Sequence, residues 1–126
     1  APPPPASALA ATAVARVGPG PVNTTLRSHG YALALGLSPN SASVRDKFSV
    51  GISRGGAPVR GASVTVTLTM AQMTTAQSEY QLSERRPGTY VNSTDALSMA
   101  GSWLLDFEIK PPGAAAFSVP VLDRTR

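Results

Sequence analysis

The sequence predicts an all-β fold, an immunoglobulin-like β-sandwich of about seven antiparallel strands, and three observations carry that prediction. The run ASVTVTLTM at 62–70 alternates Val64, Val66, Leu68 and Met70 with Ser63, Thr65, Thr67 and Thr69, the period of two that a half-buried strand shows. A second run, GSWLLDFEIK at 101–110, puts Trp103, Leu105, Phe107 and Ile109 on one face and Leu104, Asp106, Glu108 and Lys110 on the other. With 11 Gly and 12 Pro spread along the chain, and no 3.6-residue apolar period outside the Ala-rich start, short strands joined by turns are favoured over helices. A closed Greek-key barrel is the alternative this pattern allows.

Taken in order, residues 1–10 are a Pro/Ala-rich linker, expected to be extended or disordered because the segment has no side-chain set that could pack. The domain proper spans 11–122. ATAVARV at 11–17 is a first strand or a helical turn, ended by GPGP, and a short strand follows at 22–27. YALALGL at 31–37 aligns Tyr31, Leu33, Leu35 and Leu37 on one face, and SPNSAS at 38–43 is a turn cluster. The strand at 44–53 is expected to bury Val44, Phe48, Val50 and Ile52, with Asp46 interrupting the row. RGGAPVRG at 54–61 leads as a loop into 62–70. After it, 71–77 reads as a polar loop and 78–84 as a strand with Tyr80 and Leu82 inward. Pro87–Gly88 matches the centre of a type II turn, 89–93 is a short strand and 95–100 a loop. PPG at 111–113 turns the chain into a closing strand at 116–122, expected at a sheet edge because Pro120 cannot donate to a ladder. Residues 123–126 read as a basic tail.

At 126 residues the chain is one domain, long enough to bury a core without disulfides. Cysteine is absent, which excludes thiolate metal sites and thiol nucleophiles and suits an oxidising compartment. The formal net charge is +4, but only 14% of residues are charged and the aromatics sit in apolar registers. The chain therefore lacks the interleaved basic and aromatic pattern of a nucleic-acid surface. No apolar run reaches the ~18–20 residues of a membrane span. The opening APPPPASALAA reads as a linker left after a signal or membrane anchor was removed. No phosphate loop, nucleophile elbow or His/carboxylate cluster occurs, so an enzyme is not expected. Asp106 and Glu108 share an outward strand face, which is the habit of solvated carboxylates more than of an acid/base pair.

The candidate chemistry rests on methionine. The chain has three: Met70 ends an inward row, Met73 follows it, and Met99 stands four residues before the single tryptophan, Trp103. If successive strands run antiparallel, the loops at 71–77 and 95–100 leave the sandwich at one end, while His29 and the Arg85–Gly88 turn lie at the other. Thioethers are soft, uncharged donors that favour Cu(I) and need no deprotonation. Three of them at one rim could hold such an ion, with the Trp103 ring beside it or simply in the core. The competing reading is packing: Met70 caps a core row, Met99 plugs the sandwich mouth and Met73 is a surface residue.

The run FSVGISRGGAPVRGASVTVTLTMAQM, then PGTY, then LSMAGSW and a closing strand resembles the YtkA-like/FixH-like domain family, including domains associated with CopC/CopD-type copper-resistance proteins. The resemblance covers about Val44 to Leu122. It implies an immunoglobulin-like sandwich outside the cytoplasmic membrane, periplasmic, secreted or membrane-anchored, with Met70, Met73 and Met99 as the metal positions. This chain has Thr74 and Thr75 where members often continue with methionine. The expected function is copper handling, binding or relaying Cu(I) in or beside a membrane copper-transport or resistance system. The partners are then a copper ion or a copper-transport protein, with association to a membrane protein. The alternative is a structural or interaction module of a larger membrane-associated complex that uses no metal.

Overall fold

The computed structural model describes residues 15–70, 73–97 and 99–126, with side chains described for all of these except 73–77. The linker expected at 1–10, and residues 11–14 of the first expected strand, lie outside the described residues. Among the described residues the fold is all-β. The strands are β1 (Ala15–Val17), β2 (Val22–Ser28), β3 (Tyr31–Ser38), β4 (Asp46–Arg54), β5 (Ala57–Pro58), β6 (Ser63–Met70), β7 (Met73–Arg86), β8 (Thr89–Thr94), β9 (Gly101–Lys110) and β10 (Phe117–Thr125).

Neighbours follow the path β1-β10-β9-β6-β7-β8-β4-β3-β2, with β5 on β4. The long strand β7 makes the path a sandwich. Up to Leu82 it pairs with β6, and from Ser83 to Arg86 it pairs with β8, so the chain passes from one sheet to the other along a single strand. A register shift between Glu84 and Arg86 marks its far end, where irregular pairing increases strand twist.

The alternating pattern places the core as expected. Val64, Val66 and Leu68 of β6 and Leu105, Phe107 and Ile109 of β9 are buried on one sheet, and Leu33, Leu35, Phe48, Val50 and Ile52 on the other. Each such side chain contributes roughly 1.5–3 kcal/mol by leaving water. The Pro87–Gly88 turn also forms as expected. Gly88 has φ of +77°, and a Cβ there would stand 2.8 Å from the Cβ of Pro58, so no larger residue fits.

Several expectations change. Among the described residues the strands number ten against about seven expected, because short pairings such as β5 carry too few residues to show a period. Val44 is exposed, whereas Asp46 is fully buried in the inward row of β4 with Phe48, Val50 and Ile52. Within the strand parity governs, not polarity, and Val44 escapes burial because it precedes β4. Tyr80 is only half-buried. Of the loop expected at 71–77, residues 73–77 are strand, because β7 starts at Met73, and residues 71 and 72 lie outside the described residues. The β-branched Thr74 and Thr75 suit a strand. The closing strand is not a bare edge: β1 lies parallel to it, pairing Ala15 with Val121 and Val17 with Asp123, beyond the point where Pro120 lacks a donor. The residues set apart as a basic tail at 123–126 continue β10 to Thr125, with Asp123 and Thr125 buried.

One polar contact ties the sheets at the end away from the methionines. Tyr90 is buried, its hydroxyl donates to the carbonyl of Val59 at 2.7 Å and accepts from the amide of Ala62 at 3.0 Å. Burial pushes the Tyr90 phenol pKa up. Tyr90→Phe strands both backbone groups and is expected to cost about 1–3 kcal/mol in a urea titration. An unchanged midpoint would show that water replaces the hydroxyl.

Candidate metal centre

Strand pairing brings the methionine positions to one rim. The alternation of β6 carries Met70 inward as the last residue of its row, 8% exposed. On one side Met70 stands opposite Trp103 of β9. On the other it stands opposite Met73, the first residue of β7. This second pairing departs from a regular ladder. Thr69 pairs with Gln77, so a regular continuation would set Met70 against Ala76, yet the register shifts to Met73. The irregularity leaves intervening residues out of the ladder, and breaks of this kind re-aim side chains at sheet ends.

Met99 arrives by a different route. It precedes β9, and its backbone carbonyl accepts the Trp103 indole N–H at 2.9 Å. The Met99 side chain is 53% exposed, among the most exposed large apolar groups described. Trp103 itself is buried at 6% exposure, so the indole fills the core while its one donor holds the segment bearing Met99. Gly101 completes the local fit. Its φ is +138°, a backbone region that favours glycine, and a Cβ there would lie 3.2 Å from the terminal methyl of Met70.

The rim therefore gathers Met70 and Met73 as cross-strand neighbours, with Met99 held to Trp103, the residue opposite Met70 on the other side. Directly opposite residues in an antiparallel pair have α-carbons about 4.5–5.5 Å apart, within reach of a flexible thioether. The donor set is soft and uncharged. Among the described residues no three His, Cys, Asp or Glu side chains gather as a hard-ion or zinc-type site.

His29 is not part of this rim. Its ring stacks on Phe117 with centroids 4.6 Å apart, and Phe117 pairs with Ile109, six residues along β9 from Trp103. At about 3.4 Å per residue that is on the order of 20 Å. Glu84 is likewise at the far end, its carboxylate accepting the amides of Gly61 and Gly88 at 3.0 Å each. Those hydrogen bonds hold its pKa down.

Sequence reasoning missed a second polar feature at the methionine end, a buried group of Asn40, Asp46, Asp123 and Thr125. The signal was available in parity: Asp46 shares the inward register of Phe48, and Asp123 and Thr125 share that of Val119 and Val121.

An immunoglobulin-like sandwich with a thioether-bearing rim is thus the class of domain that the fold and the site define. The family model described as YtkA-like matches residues 25–108, more than half of the chain, and the chain belongs to the YtkA-like family. The fold is also similar to the crystal structure of a Br derivative of BhCBM56, with a TM-score of 0.51 and 14% identity, over 81% of this chain and 98% of that one. At that identity the likeness concerns the fold alone. No curated protein sequence matches the chain.

Proposed function

We propose that this domain handles copper outside the cytoplasm, binding or relaying Cu(I) as cargo through the thioethers of Met70, Met73 and Met99. The observation that carries the reading is the ladder itself, in which Met70 faces Met73 on one side and Trp103, the anchor of Met99, on the other. Membership of the YtkA-like family is consistent with a copper-resistance-associated domain. Burial of Met70 shields one donor from water, and exposure of Met99 leaves an approach for an ion or for a donor protein. An uncharged thioether set matches a monovalent soft cation and is indifferent to protonation. The domain acts in this reading as a binding module beside a membrane copper-transport or resistance system, not as an enzyme.

A second reading has its own observation. Met70, 8% exposed and packed against Gly101, is placed as a core residue would be, which suits a structural or interaction module without metal. Anaerobic Cu(I) titration followed by Trp103 emission separates the two. Quenching in the wild-type chain, lost when all three methionines become leucine, is the expected result. Leucine preserves apolar volume, so the variant should fold within about 1.5 kcal/mol per buried site. Absence of quenching in the wild type, or equal quenching in the variant, would leave the scaffold reading.

A further inference from the structure

The buried polar group at the methionine end is built from three separate segments. Asn40, in the turn after β3, donates its side-chain amide to the carbonyl of Gly20 and to Asp123 Oδ1, both at 2.8 Å. The Thr125 hydroxyl lies 2.8 Å from Asp123 Oδ2 and 3.3 Å from Asn40 Oδ1. Asp46 Oδ1 accepts the backbone amides of Asn40 at 2.6 Å and Ser41 at 3.1 Å, while its Oδ2 is buried without a hydrogen-bond partner. Backbone bonds extend the same junction: the amide of Ala42 donates to the carbonyl of Arg126, and that of Arg126 to the carbonyl of Asn40. Asp123 stands opposite Trp103 in the ladder, so the junction borders the methionine rim.

Counting hydrogens decides the protonation state. Thr125 has one hydroxyl hydrogen and two acceptors within reach, Asp123 Oδ2 and Asn40 Oδ1. If Asp123 is ionised, one of those acceptors is left without a donor in a buried place. If Asp123 carries a proton on Oδ2, that O–H donates to Thr125 Oγ1, Thr125 donates to Asn40 Oδ1, and Asn40 donates back to Asp123 Oδ1. Every member of the ring is then satisfied. A proton on Asp46 Oδ2 would find no such acceptor. We infer that Asp123 is held as a neutral carboxylic acid that closes a ring with Thr125 and Asn40, and that this ring is a pH-responsive latch fastening the C-terminal strand across the methionine end.

The surroundings agree. Two carboxyls sit in one buried group, and among the described residues neither forms an ion pair. Arg16 and Arg124 line a surface groove beside Asp123, Arg126 packs over Gly20, and Arg45 and Lys47 flank Asp46 with exposed side chains. Burial raises the Asp123 pKa above its usual value; the hydrogen bonds of Thr125 and Asn40 to its carboxylate form oppose that in part, and the charge of Asp46 adds to it. Burial raises that of Asp46 as well. A raised folded pKa means that the stabilisation is complete below the unfolded value and is lost as pH rises through the folded one. The latch therefore loosens on the alkaline side.

The inference does not depend on copper and is tested on the metal-free chain. The Asp123 carboxyl carbon is followed by NMR against pH, together with hydrogen exchange at the amides of Ala42 and Arg126. Asp123 should stay protonated above the ordinary carboxylate range, and protection of both amides, relative to their intrinsic exchange at each pH, should fall through the same transition. Asp123→Asn, whose amide can donate to Thr125 and whose oxygen can accept from Asn40, should keep both amides protected at every pH. Thr125→Val should expose them throughout. Titration of Asp123 in the ordinary range would overturn the proposal. So would an Asp123→Asn variant as open as Asp123→Ala, or protection at high pH that appears only on adding calcium, which would mark a cation in place of the proton.

Discussion

Met99→Leu is expected to weaken Ag(I) or Cu(I) binding by at least about tenfold, roughly 1.4 kcal/mol of lost donor interaction. Its unfolding midpoint should stay within about 0.5 kcal/mol of wild type. The separation follows from placement: the Met99 side chain is 53% exposed, so little packing is lost with the sulfur. Met70→Leu should behave differently, combining a loss of affinity with a measurable change in stability. At 8% exposure, with its terminal methyl 3.2 Å from where a Gly101 Cβ would stand, it has a defined seat that branched leucine does not reproduce. Competition titration against a Cu(I) chelator reads the first quantity and urea unfolding the second. Wild-type affinity in Met99→Leu would remove that residue from the site.

Trp103→Ala should cost about 3–5 kcal/mol, the range for truncating a large buried aromatic. The indole is 6% exposed and its neighbours in the ladder are Met70 and Asp123, so the cavity would open between the thioether rim and the buried polar ring. Trp103→Phe keeps most of the apolar contact and removes only the donor to the Met99 carbonyl, at an expected cost of about 0.5–1.5 kcal/mol. If that hydrogen bond positions Met99, Trp103→Phe should also lower soft-ion affinity although no thioether is touched. Urea denaturation and the same chelator competition measure both. A stable Trp103→Ala chain with unaltered binding would refute this account of the rim.

The alkaline loosening of the Asp123 ring bears on the same end of the molecule. Thioether donors carry no titrating proton, whereas the ring beside them contains a carboxyl whose pKa is raised by burial. Any pH dependence in the opening of the rim therefore reports the carboxyls and not the methionines.

The sequence by itself determined the strands whose inward faces are apolar at every second position. For β3, β6 and β9 the alternation specifies both the element and the buried face, since slipping by one residue would move each row into water. It also separated the end bearing the methionines from the end bearing His29, because antiparallel succession is enough for that. Only the tertiary structure decided the rest. The opposition of Met70 and Met73 depends on a register break that no period announces. The parallel pairing of β1 with β10 joins Ala15 to Val121, and the closure of the C-terminal residues over Asn40 joins positions 83 and 85 residues apart in the chain. Asp123 and Thr125 read as surface residues by type, yet strand parity turns them inward, as it does Asp46; the first two meet Asn40, 83 and 85 residues away, whereas Asp46 is held by the nearby amides of Asn40 and Ser41. Local periodicity encodes which face is buried; which polar groups meet behind that face is a property of the assembled sheets.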